Sequence, residues 1–288
     1  MNEQRYNEAL DAWEAKLTAD YLAQAAQLTG DITLTQLTAL IAAGNDLAVV
    51  QSIERQVELG PTLETMRSAY IAGGADELSM LSKAAIGRIV EQTGKRPVFD
   101  PRRQTAEAFL QSNARDTLNG LVRQQGEAVQ LILAAGRNRG ETPRQIAQHI
   151  LGPMQTNRQR SGGVIGLAGT DTQAIINARR QLESGDPSMM REYLDRVRRD
   201  RRFDKTIQKA IAAGTKPPQD TIDRAVAQYS KRLLQTRAEA QASIEAMDVY
   251  NAGRQQLYRQ LVEDGIDPTT ITKQWKTRGD EKVREMHR

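Results

Sequence analysis

Between Met189 and Lys209 the chain reads MMREYLDRVRRDRRFDKTIQK, with eight Lys/Arg and four Asp/Glu, the densest basic stretch of its 288 residues. Helical spacing there turns Tyr193, Val197 and Phe203 inward and leaves Arg191, Arg198, Arg199, Arg201 and Arg202 facing water. Guanidiniums presented this way can grip phosphates, because each contact releases condensed counterions and the attraction requires no reading of bases. The same run also fits a plain solvent face whose interleaved acids offset the field. Both readings stay open at this level. A second candidate is SGGVIGLAG, where a glycine-rich loop could cradle phosphate. Its Gly162, Gly163, Gly166 and Gly169 match neither GxGxxG nor GxxxxGK(S/T), and no strand precedes them, so a flexible joint between helical layers is expected.

The last candidate is the C-terminal segment KQWKTRGDEKVREMHR. Asp280 and Arg284 stand four apart, the spacing of an ion pair on one helix face, and His287 lies near Val283 and Arg284. A lone histidine with no second His or Cys beside it makes a poor metal or general-base site, so the segment reads as structural stitching, with Trp275 as a core anchor. The chain has no cysteine, which removes disulfides, thiolate metal sites and thiol nucleophiles. No catalytic, cofactor or metal constellation is expected, and hence no enzyme.

These residues need a scaffold, and the composition points to helices. It is 39% hydrophobic but only 4% aromatic, rich in Ala, Gln and Leu. Thr33 and Gln36 form a capping box ahead of Leu34, Leu37, Leu40 and Ile41, with Gly44 closing that helix. Asp46 is placed to cap the next helix, in which Leu47, Val50, Ile53 and Val57 recur until Gly60-Pro61. Gly73-Gly74 reads as a turn. TGKRPVFDPRR, from Thr93 to Arg103, reads as a linker or extended arm. A long helix follows through Leu110, Leu118, Leu121, Val129 and Ile132 to Gly136 and Gly140. Thr142, Pro143 and Gln145 then open a short helix as a capping box, and Thr170 with Gln173 opens another. After Pro217-Pro218, Ile222, Val226, Tyr229 and Leu233 repeat at intervals of four, three and four, predicting a long helix with Gly253 as a possible break. Ile271, Lys273 and Trp275 alternate as a strand would.

The expected architecture is mostly α, a multi-helix protein with long amphipathic helices and a small α+β C-terminal cap. Its expected modules are an acidic helical one over 1–95, a helical segment over 96–160, a basic long-helix core over 161–265, and the cap from 266 to 288. Charge supports the first division: 7 Lys/Arg stand against 13 Asp/Glu up to residue 95, and 33 against 23 after it. A basic half of this kind can sit on nucleic acid or on an acidic protein surface. Glu3, Glu8, Asp11 and Glu14 occupy the place where a secretory leader would be basic and then apolar, so a cytoplasmic start is expected. The longest uncharged apolar run, Thr33 to Asn45, is too short to span a bilayer.

From Val98 onward the chain resembles the phage head morphogenesis or minor head proteins, also called Mu F-like. The resemblance runs in order through VFDPRR, GETPRQIAQHI, IGLAGTDTQAIINARRQL, RRFDKTIQKAI, TIDRAVAQYSKRLLQTRAE and the final NAGRQQLYRQLVEDGIDPTTITKQWKTRGDEKVREMHR. Its most specific part is a Trp strand followed by Asp-Glu-x-Val-Arg-x-x-His, here Trp275, Asp280, Glu281, Val283, Arg284 and His287. One departure is Ala242, Ser243, Ile244 and Glu245 where the family commonly has Ala-Arg-Thr-Glu, although Arg237 and Glu239 remain. Another is that family members run on past the histidine, so the chain is expected to be part of a longer product. The resemblance implies a structural minor head protein that sits inside the head near the portal vertex after assembly in the host cytoplasm. Its implied partners are the portal protein, packaged double-stranded DNA, other copies of itself and capsid protein, with ejection alongside the genome as a further implication. Two rivals stay open: a non-specific DNA-binding protein outside the particle, and the N-terminal part of a Mu F-like protein fused to a toxin or protease.

Overall fold

A computed structural model describes residues 3–156 and 158–272. Among the described residues the chain is built from eleven α-helices and no strand, which agrees with the mostly helical expectation. They are α1 (Glu3–Asp31), α2 (Leu34–Ala42), α3 (Asp46–Glu54), α4 (Gly60–Ser79), α5 (Lys83–Thr93), α6 (Gln104–Asn138), α7 (Pro143–Leu151), α8 (Gly169–Glu183), α9 (Pro187–Leu194), α10 (Asp204–Ala213) and α11 (Gln219–Glu263). Short 3-10 turns stand at Arg201–Phe203 and Pro268–Thr270. The expected strand does not begin at Ile271 or Thr272, and the rest of it lies outside the described residues.

Helix starts follow side-chain chemistry, with small corrections. At α7 the box is complete: Thr142 Oγ1 accepts from the Gln145 N–H, and the Gln145 side chain accepts from the Thr142 N–H at 2.9 Å. Thr33 caps α2 by accepting from Gln36 N–H. The cap of α3 is Asn45, not Asp46; Asp46 becomes the first helical residue, where its charge faces the positive end of the helix dipole. The cap position of α8 is Ala168, with no side-chain bond, so Thr170 already lies inside that helix. Gly60-Pro61 opens α4 instead of closing α3, because a proline in the first turn gives up an N–H that has no partner anyway.

The spine is α11, 45 residues long, or about 68 Å at 1.5 Å per residue. Three apolar cores follow one another along it. The first gathers α2, α3, the second half of α6, α7, α8, α9 and α10 around Ile222, Val226 and Leu233. The second packs Leu17, Tyr21, Met66, Tyr70 and Leu110 against Ala238, Ala242, Ala246 and Val249. The third is small: Ile89, Leu257, Leu261 and Ile266. The first two cores draw side chains from both sides of residue 95, so the change of charge there is not a change of core.

Two glycine expectations are overturned by this packing. Gly73 and Gly74 lie inside α4 and are buried, and Gly253 lies inside an unbroken α11. A Cβ on Gly73 would stand 2.1 Å from the Tyr250 carbonyl oxygen, and one on Gly253 would stand 1.9 Å from the Tyr70 carbonyl oxygen. These glycines let two helix backbones meet; they do not bend the chain. The linker before α6 is held as well, since Arg103 donates two 2.8 Å bonds to Asp264 and one of 3.1 Å to Glu263, just beyond and at the end of α11.

Candidate nucleic-acid interface

The basic stretch is not one helix. It consists of α9, a turn over 195–200, the 3-10 turn and α10, anchored by Met190, Tyr193 and Ile207, all fully buried. Val197, expected to point inward, is 88% exposed. The reason is that α9 stops at Leu194 with Asp195 as its cap, so the four-residue repeat from Tyr193 is broken before Val197. Phe203 is partly buried against the first core.

Asp200 organises the turn. Its side chain is 3% exposed, accepts from Arg202 Nε at 2.9 Å and Nη2 at 2.5 Å, and caps the 3-10 turn by accepting from the Arg202 N–H. Arg232 of α11 stands 3.7 Å from its other oxygen and donates to the Arg199 carbonyl. The Arg202 hydrogen bond is the leading cause that holds the Asp200 carboxyl below its ordinary range, against the opposing effect of burial. Arg199 forks onto Asp204, donating from Nε at 3.1 Å and from Nη2 at 3.0 Å. Arg198 donates from Nε to Thr236 Oγ1 of α11 at 3.0 Å. Arg196, absent from the sequence candidates, points into the core: it donates to Tyr229 Oη at 3.1 Å and to Gln181 at 2.9 Å, with its guanidinium over the Tyr229 ring.

The five candidate arginines therefore differ in availability. Arg199 is largely buried and holds the turn to the start of α10. Arg202 is exposed but neutralised by Asp200. Arg191, Arg198 and Arg201 are exposed and form no ion pair among the described residues. Arg198, Arg199, Arg202 and Arg232 are brought together at the crossing with α11, whereas Arg191 shares no hydrogen bond with them. Sequence reasoning missed Arg232 and the part played by Asp200. The RRDRR pattern showed an acid among arginines but could not show that the acid is buried.

The glycine-rich stretch is pinned instead of being a loose joint. Val164, Ile165 and Leu167 are buried, the Val164 N–H donates to the Ile150 carbonyl at 2.9 Å, and the Gly166 N–H donates to Gln125 Oε1 at 2.6 Å. Gly162 and Gly166 adopt φ near +82° and +83°, a region other residues rarely take. A second polar knot ties α6 to α7. Glu141 accepts from Arg139 Nε at 2.9 Å, and His149 Nδ1 stands 3.1 Å from its other oxygen, off the hydrogen-bond direction. Burial would raise the Glu141 carboxyl, but His149 and Arg139 outweigh it and hold it down at about 2.

Trp275, Asp280, Glu281, Val283, Arg284 and His287 lie outside the described residues. Among the described residues no group of three His, Cys, Asp or Glu is placed to hold a metal, and no helix is long and apolar enough to cross a membrane. No protein-family model, curated protein or solved structure matches the chain.

Proposed function

We propose that this chain is a structural minor head protein of a tailed bacteriophage, associated with the portal protein, other copies of itself and capsid protein, and that its basic half contacts packaged double-stranded DNA. The reading of the particle rests on the resemblance of residues Val98 to Arg288 to that family. The DNA contact rests on one observation: the turn between α9 and α10 is fixed from beneath by Asp200 and Asp204, and from it Arg198 and Arg201 reach solvent with no acidic partner among the described residues. Cations presented from a fixed turn suit a phosphate backbone, which they attract without any base edge being read.

Binding to random-sequence duplex DNA should weaken steeply with salt. Replacing Arg191, Arg198 and Arg201 together by Gln should make the plot of log affinity against log salt shallower by about two to three, close to 0.9 for each phosphate left without its cation. Arg199→Gln should lower stability and leave that slope unchanged. The particle itself supplies the second test. Recovery of the protein with purified virions and portal in a small fixed copy number is the expected result, and recovery from the lysate alone would overturn the assignment.

A further inference from the structure

A cavity of about 50 Å³ lies between α1, α6 and α11, at one end of the second core. Much of its wall is apolar, with Leu28, Leu167 and Leu234, yet it is also lined by two buried polar groups that have no partner and by one guanidinium that has no carboxylate beside it. Tyr21 is 8% exposed and its hydroxyl has no partner, the Gln241 amide beside it being turned to Glu245 at 2.9 Å. The Gln24 Nε2 is enclosed and has none either. Arg237 donates to the Gly166 carbonyl at 3.1 Å and to Gln124 Oε1, but no carboxylate reaches it within ion-pair distance among the described residues. Nearby acids are occupied or set apart: Asp20 accepts from Thr65 at 2.6 Å, Glu245 accepts from Thr117 and Gln241, and Asp171 acts on Arg237 only through space.

A partly buried cation with no carboxylate beside it and a buried hydroxyl without a partner are both costly, so what fills the space should carry acceptor oxygens and a negative charge. The volume sets the size. A water molecule needs roughly 10–15 Å³ of such space, so the cavity holds about three to five heavy atoms. Two oxygens can accept from the Arg237 N–H groups that Gly166 and Gln124 do not take and from the Tyr21 hydroxyl, while a short aliphatic stub rests on the leucines. We infer that this cavity is a binding site for a small aliphatic carboxylate of formate or acetate size, held by Arg237, Tyr21 and Gln24.

Acetate itself is the probe. At fixed pH and ionic strength, calorimetric titration of the whole chain with sodium acetate should give saturable binding, and 100 mM acetate should raise the thermal midpoint by about 3 °C more than the same concentration of sodium chloride. Tyr21→Phe keeps the ring and the packing, and should weaken acetate binding about five- to tenfold; Arg237→Lys keeps the charge without the fork, and should weaken it at least about tenfold. If Arg237→Lys fails to fold, Tyr21→Phe still decides the matter. Equal shifts from acetate and chloride, or undiminished binding by Tyr21→Phe, would overturn the assignment. So would a crystal grown in acetate whose cavity holds only water.

Discussion

Asp200 and Asp204 each hold one arginine of a crowded run, and this sorts side chains of one type into different roles. Nothing in RRDRRFD marks which acid is buried or which guanidinium it takes, because the third participant, Arg232, comes from a helix 30 residues further on. Residue types were therefore legible in the sequence and their availability was not. Glu141 makes a similar point. Its burial depends on where α7 packs on α6, and Gly136 of α6 allows this because a Cβ there would stand 2.5 Å from Ile146. The folded Glu141 carboxyl titrates near 2 against an ordinary 4.5, so the fold favours its charged form. That stabilisation should be present in full above about pH 5 and be lost as pH falls from about 4.5 through about 2. Glu141→Gln should lower unfolding free energy at pH 7 by about 1–3 kcal/mol, and the difference from wild type should shrink toward pH 2 in denaturant titrations.

Helix starts that depend on the nearest three or four residues were readable, and packing between helices was not. The Thr142 box and the Ile222 to Leu233 repeat carry their whole signal locally, and both stand in the structure as expected. Gly73, Gly74 and Gly253 carry none, because a glycine that makes a turn and one that admits a neighbouring helix look identical in sequence. Their difference can be measured. Gly253→Ala would drive a methyl group into the Tyr70 backbone, which cannot swing aside, and should destabilise by about 3 kcal/mol or more. Gly87→Ala, inside α5 with nothing within 4 Å of the added carbon, should stabilise by about 0.5–1 kcal/mol. Thermal or urea unfolding of the two variants tests both signs at once. The basic stretch failed as a single helix for a related reason: its spacing suited a helix on paper, but the Asp195 cap and the Asp200 turn cut it into pieces.

At the scale of the whole molecule, the mostly helical class was legible from composition, while the sharing of cores across residue 95 was not, since charge records the surface and not the interior. The proposed binding to DNA belongs to this scale too, because it needs the basic half carried on a frame that does not yield when phosphates pull on it. α11 provides such a frame by passing through all three cores. The three cores should therefore melt in one transition, with far-ultraviolet circular dichroism and tyrosine fluorescence giving the same midpoint; separate midpoints would show that they unfold independently. That continuity also fixes how slowly solvent deuterium can enter. Backbone amides from Ala238 to Val249, flanked by packed cores at both ends of the rod, have no fraying end within reach and should exchange only when the entire chain opens, long after those near Gln219 and Glu263 have done so.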